Sequence, residues 1–140
     1  MEISIETGDW KTLQHECERV RLMVFVAEQK VPREMELDDD DPKAQHFIAR
    51  DHQHMVMGCA RLLDSGQIGR LAVLRPFRKR GVGQALLTAV TEAAKNRGMK
   101  DVWMHAQTHA CGFYERFGFQ CEGERFMEAG IEHVLMRKQL

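Results

Sequence analysis

Apolar residues recur along this chain with two periods, two and about 3.6, and the switches between them mark out its elements. Ile3 and Ile5 alternate with polar neighbours over Glu2 to Glu6, which predicts a short half-buried strand. Asp9 then stands where a helix cap belongs, and Leu13, Cys17, Val20, Val24 and Ala27 repeat at helical spacing from Trp10 onward. Pro32 ends that helix by about Val31. The next segment, Glu34 to Asp41, holds six acidic residues in eight and predicts a solvated loop.

Gln45 to Arg50 and Met55 to Leu63 read as two strands joined by the polar turn Asp51-His52-Gln53-His54, and Asp64-Ser65-Gly66 turns the chain into a third, Gln67 to Leu74. These three form an antiparallel meander. From Gly81 onward Val82, Leu86, Ala89, Val90, Ala93 and Ala94 define one helix face, closed by a cationic last turn and a glycine at Arg97-Gly98. Val102 to Ala106 is another strand, so strand, helix and strand make a parallel crossover. Cys111 to Phe117 predicts a short helix stopped by Gly118, and Phe119 to Arg125 with His133 to Lys138 predicts a closing pair of strands. No repeat, low-complexity tract or linker divides the chain, which is expected to fold as a single domain over residues 1–140.

A chain of 140 residues buries roughly 70% of its unfolded surface and supports a real core. Its net charge of -1 excludes a general nucleic-acid or membrane-surface binder, for which a large basic excess is usual. The four cysteines show no Cys-x-x-Cys spacing, Met1 to Asp9 is too polar for a secretory h-region, and no apolar run approaches the ~20 residues a bilayer requires. The expectation is a reduced, soluble, cytoplasmic protein.

Local charge carries more information. Arg78-Lys79-Arg80-Gly81-Val82-Gly83 lies between an apolar strand and the most periodic helix, so a basic glycine-containing turn opens directly onto a helix N-terminus. Unpaired backbone N–H groups, a positive dipole end and little side-chain bulk are what a phosphate needs. A Walker A loop requires a Gly-Lys pair, which this chain lacks. The dinucleotide fingerprint meets Leu86 at its third glycine position, and its acidic ribose ligand is displaced, because Asp101 precedes the next strand.

Arg78-x-x-Gly81-x-Gly83 resembles the cofactor motif of the GNAT superfamily of acyl-CoA N-acyltransferases. Gly69 to Pro76 resembles that family's central strand, and Ala110-Cys111-Gly112-Phe113-Tyr114-Glu115-Arg116-Phe117-Gly118-Phe119 resembles its later segment. Arg21-x-x-Val24-Phe25-Val26-x-Glu28-Gln29-x-Val31-Pro32 and Glu128-Ala129-Gly130-Ile131-x-His133 are similar to a subgroup of small bacterial members. The resemblance implies an α/β fold with a mixed, mainly antiparallel central sheet of about six or seven strands, helices on both faces and a splayed central strand pair.

It also implies acetyl-CoA as cosubstrate, without a metal, and a small-molecule or peptide amine as acceptor, and it admits a homodimer. By resemblance, the backbone N–H groups of Arg80, Gly81, Val82, Gly83 and Gln84 face the pyrophosphate, with Arg78 and Lys79 adding charge and Phe113 completing the cofactor site. Leu71, Ala72 and Val73 offer the strand edge along which pantetheine lies, and the Val73 N–H polarises the thioester carbonyl. Tyr114, the only tyrosine, is the general acid for the departing thiolate. The alternative role for Tyr114 is core packing through its ring.

The base that deprotonates the amine is not named by any motif; Glu28, Glu36, Asp38 and His105 are candidates beside a chain of water. His52-x-His54 lacks a companion cysteine pair and reads as a hairpin turn rather than a zinc site. The acidic run lacks calcium-loop spacing. Cys111 has no histidine-carboxylate partner in sight for covalent catalysis. The expected activity is direct acetyl or short-acyl transfer to a primary amine in a ternary complex, and the competing class is a CoA-binding regulatory module without turnover.

Overall fold

The computed structural model describes residues 2–36 and 38–140. The first strand, β1 (Ser4–Gly8), leads into α1 (Trp10–Arg21), where the Asp9 carboxylate accepts the Thr12 N–H at 2.9 Å and caps the first turn. The helix does not run on in α form to Val31. It widens into a π-helical stretch, Leu22–Glu28, whose last turn closes with Gln29 N–H donating to Val24 C=O. Such widening often accompanies a functional site. A four-residue α2 (Arg33–Glu36) and a 3₁₀ turn (Asp41–Lys43) precede β2 (Gln45–Arg50), β3 (Val56–Leu62) and β4 (Ile68–Val73). Then come α3 (Val82–Asn96), β5 (Asp101–Gln107), α4 (Cys111–Glu115), β6 (Gln120–Glu128) and β7 (Ile131–Gln139).

The predicted meander is present, with β1 added at its edge. The order β1-β2-β3-β4 is antiparallel throughout, and β5, β7 and β6 form a second antiparallel sheet with β7 in the middle. The seven strands thus lie in two hydrogen-bonded sheets. Between β4 and β5 a single parallel bridge, Gln67 to Trp103, joins them at one end, with Trp103 N–H donating to Gly66 C=O at 3.1 Å. Beyond it the strands diverge, which is the splayed pair expected from the family resemblance.

Both faces of the first sheet are covered, so β2 and β3 are buried nearly throughout. Leu13, Cys17 and Val20 of α1 pack on Ile48, Cys59 and Ala72. On the other face Val82, Leu86, Leu87 and Val90 of α3 pack on Phe47, Ala49, Met57 and Ala60. Among the described residues no helix is long and apolar enough to cross a membrane.

The acidic segment departs from the sequence expectation. Rather than a solvated loop, it folds inward, and Glu36 and Asp41 are each 2% exposed; residue 37 lies outside the described residues. Fully buried Arg21 pairs with both carboxylates, reaching Asp41 through two nitrogens at 2.9 Å and Glu36 through Nε. Arg61 forks onto Asp38 at 2.8 and 2.9 Å and reaches Asp41 at 3.0 Å. Burial pushes the Asp41 carboxyl up, but hydrogen bonds from Arg21 and Arg61 outweigh it and hold the group below the ordinary aspartate value of 3.8. Asp38 follows the same pattern, with burial opposed by Arg61.

Candidate active site

The site begins where β4 loses its regular ladder. Gly69 faces Arg61 and Ala72 faces Cys59, so three steps on β4 match two on β3, and the extra residue is accommodated with Arg70 at φ +51°. Past the bulge, Leu74 N–H donates to Met57 C=O at 2.9 Å. Ladder alternation therefore turns the Val73 N–H and C=O away from β3, into the space between β4 and β5. Arg78 Nε donates to that Val73 carbonyl at 2.9 Å.

Next to this edge is the α3 N-terminus. Gly81 adopts φ +86° as the N-cap, and Ala85 N–H to Gly81 C=O is the first helical bond. The N–H groups of Val82, Gly83 and Gln84 precede it and point out of the helix end. A Cβ on Gly83 would lie 3.4 Å from Phe113 Cζ, so glycine lets the α4 ring close over the helix start. Val82 contributes only its backbone, since its side chain is 1% exposed in the core.

Leu71 to Val73, Arg78, Lys79, Gly81 to Gln84 and Phe113 line one groove of about 560 Å³. Of the residues expected around a pyrophosphate, Arg80 alone lies outside this lining. Arg78 is not a free cation, because its guanidinium forks onto Glu28 at 2.8 and 3.0 Å. Phe77, Arg116 and Phe117 also line the groove, and no sequence motif assigns them to the cofactor.

The groove opens past the Val73 edge into a cleft of about 400 Å³ between the diverging strands, lined by Phe25, Glu28, Arg70, Val73, His105 and Tyr114 among others. Tyr114 makes edge contacts with Phe113 and Phe119 at centroid distances of 5.2 and 6.0 Å. Burial, with a smaller push from Cys111, raises its phenol to about 12. It is therefore protonated at neutral pH. Across the cleft Gln107 donates to Gln29 at 2.9 Å, linking β5 to the π-helical stretch.

Beyond this clasp the cleft joins a chamber of about 300 Å³ walled by Phe25, Met35, Asp38, Arg70, Glu128 and His133 among others. The four base candidates fare differently. The Arg78 hydrogen bonds draw the Glu28 carboxyl down, Glu36 is committed to Arg21, and Asp38 is committed to Arg61. His105 lines the cleft, with Nδ1 2.9 Å from Glu128 Oε1. Glu128 and His133 belong to a sequence motif that assigns neither a role; their convergence on His105 depends on the β5-β7-β6 register. Burial, then Cys121, raises the Cys111 thiol, which disfavours the thiolate a covalent mechanism requires.

The model of the acetyltransferase (GNAT) domain matches residues 12–140. YyaT of Bacillus subtilis is 35% identical over 131 residues, covering 90% of this chain and 88% of that protein. YjcF of the same organism, described as an uncharacterized N-acetyltransferase, is 37% identical over 122 residues, covering 85% of this chain and 87% of that protein. Among solved structures, an acyl-CoA N-acyltransferase from Pseudomonas aeruginosa superposes with a TM-score of 0.87 at 28% identity, over 98% of this chain and 99% of the other.

Proposed function

This chain belongs to the GNAT acetyltransferase family, and on that premise we propose that residues 1–140 act as one domain transferring an acetyl or short acyl group from acyl-CoA directly to a primary amine. The observation that carries this reading is the continuity of the space. The groove at the α3 N-terminus, the Val73 edge and the Tyr114 cleft share Leu71, Ala72, Val73 and Arg78, so a phosphate-to-thioester ligand has one unbroken path.

The pyrophosphate lies against the Val82, Gly83 and Gln84 N–H groups, with Lys79 beside them. A helix end contributes only ~0.3–2 kcal/mol toward an anion, so convergent donors are required. The pantetheine amides pair with the Leu71 to Val73 edge. The Val73 N–H donates to the thioester oxygen, and this bond strengthens as attack puts negative charge there. Collapse of the tetrahedral intermediate sends the C–S electron pair to sulfur, where the Tyr114 hydroxyl donates a hydrogen bond.

The test is thiol release from acetyl-CoA over a panel of amines, alongside calorimetric acetyl-CoA binding. Amine-dependent release is expected. Tight binding with no release for any amine would leave a CoA-binding module without turnover.

A further inference from the structure

His133 is 6% exposed and sits on β7 opposite Gln107 of β5 and Phe126 of β6. Its Nδ1 lies 2.7 Å from the Ile131 carbonyl oxygen, and a carbonyl only accepts. Nδ1 therefore carries the proton, and in the neutral ring Nε2 is a bare lone pair. That lone pair faces Glu128 Oε2 at 3.8 Å. The other oxygen of this carboxylate accepts from His105 Nδ1 at 2.9 Å, and Oε2, like it, is an acceptor.

Two acceptors thus confront each other with no hydrogen between them, at the junction of cleft and chamber. One nitrogen at ~2.9 Å from both would subtend roughly 80° between them, within reach of two N–H bonds of one ammonium. The stacked Phe126 ring, 5.9 Å from that of His133, fixes the imidazole plane. Glu128 from β6, His105 from β5, Arg61 from β3, Arg70 from β4, and Glu36, Asp38 and Asp40 from the acidic segment are the charged groups facing this corner, Asp40 lying 4.0 Å from Arg61. Both arginines are engaged with that segment's carboxylates, and Glu28 with Arg78, so among the described residues at this corner Glu128 is the carboxylate not held by an arginine.

We propose that the acceptor enters as an ammonium bridging Glu128 Oε2 and His133 Nε2, and that His133 Nε2 is the base that takes its proton. The proposal rests on the acyl-transfer reading above. The amine loses one proton to Nε2, and its freed electron pair forms the N–C bond at the thioester carbon. The C–S bond then breaks with its pair on sulfur, where the Tyr114 hydroxyl donates a hydrogen bond, the second amine proton passes to the sulfur, and imidazolium returns its proton to water. Glu128 holds the ammonium and then the imidazolium, and His105 is a positioning residue that fixes the Glu128 carboxylate.

Two measurements test this. Long-range ¹H–¹⁵N spectra of the histidine-labelled protein should show neutral His133 protonated at Nδ1; a proton on Nε2 overturns the assignment. In kinetics with spermidine, glucosamine, lysine and glycylglycine, His133→Gln should lower kcat/KM about 10²-fold at pH 7. The deficit should close as pH rises toward the acceptor's own ionisation, near about 10 for an alkylamine and near about 8 for the α-amino group of glycylglycine, because the amine then arrives deprotonated. A deficit of constant size at every pH, or none, overturns the role. A wild type that turns over none of these amines counts against acyl transfer, whereas the tautomer measurement judges His133 alone.

Discussion

Replacing Tyr114 with phenylalanine removes one oxygen and leaves the ring contacts with Phe113 and Phe119 in place. The size of the effect follows from the phenol's environment. Burial raises the hydroxyl to about 12, whereas an alkyl thiol ionises near about 8.5, so handing the proton fully to a free thiolate runs uphill. The hydroxyl's contribution is then that of a hydrogen bond to a developing anion, about 1.5–3 kcal/mol. At 1.36 kcal/mol per tenfold, Tyr114→Phe should lower kcat about 10- to 150-fold. Single-turnover thiol release, which isolates chemistry from product departure, is the assay, with acetyl-CoA affinity by calorimetry as the control. Because the raised phenol stays protonated below about 12, wild-type kcat should show no basic limb from this group up to about pH 11. Unchanged single-turnover rates, or a fall in acetyl-CoA affinity matching the fall in rate, would mean that the oxygen serves packing and not the leaving group.

Gly81→Val should weaken acetyl-CoA about 10-fold or more in calorimetry, since it puts a branched side chain at φ +86° where the pyrophosphate approaches. Gly98→Val, at φ +82° past the end of α3, should lower the melting temperature without touching affinity. Arg21→Met leaves Glu36 and Asp41 buried without their main cation, which should cost about 3–5 kcal/mol and lower Tm by roughly 10–15 °C in circular dichroism. Asp38 and Asp41 have folded values depressed below 3.8, so their contribution is present above that pH and is lost as pH falls through the folded values. Melts should therefore decline steeply below about pH 4, and Arg61→Met should flatten that decline.

The elements that sequence periodicity located best are those with one clear partner surface. The strand Gln45 to Arg50 has the predicted bounds, and α3 begins one residue after the glycine expected to open it. The first strand runs two residues past its predicted end, because Thr7 Oγ1 donates to His46 C=O and Gly8 still pairs with β2. The acidic segment misleads because six carboxylates within eight residues look like solvent-seeking charge until their cations are placed. Arg21, Arg61 and Arg70 come from α1, β3 and β4, and no local pattern announces that they converge. The same limit applies to the site. A turn before a helix is local, so its motif is legible; the meeting of His105, Glu128 and His133 depends on strand register.

The lone bridge at Gln67 and Trp103 makes β4 and β5 a seam closed at one end only. Along the open length, main-chain donors and acceptors on the Val73 side have no strand to satisfy them, and a bare edge of that kind invites pairing with foreign chains. A cosubstrate lying in the seam would complete the missing rungs. The cell's acyl-CoA pool would then act as a folding partner: at 100 times Kd it would add about 2.7 kcal/mol to stability. Loss of that pool would leave the protein more open to aggregation before its catalytic residues were harmed.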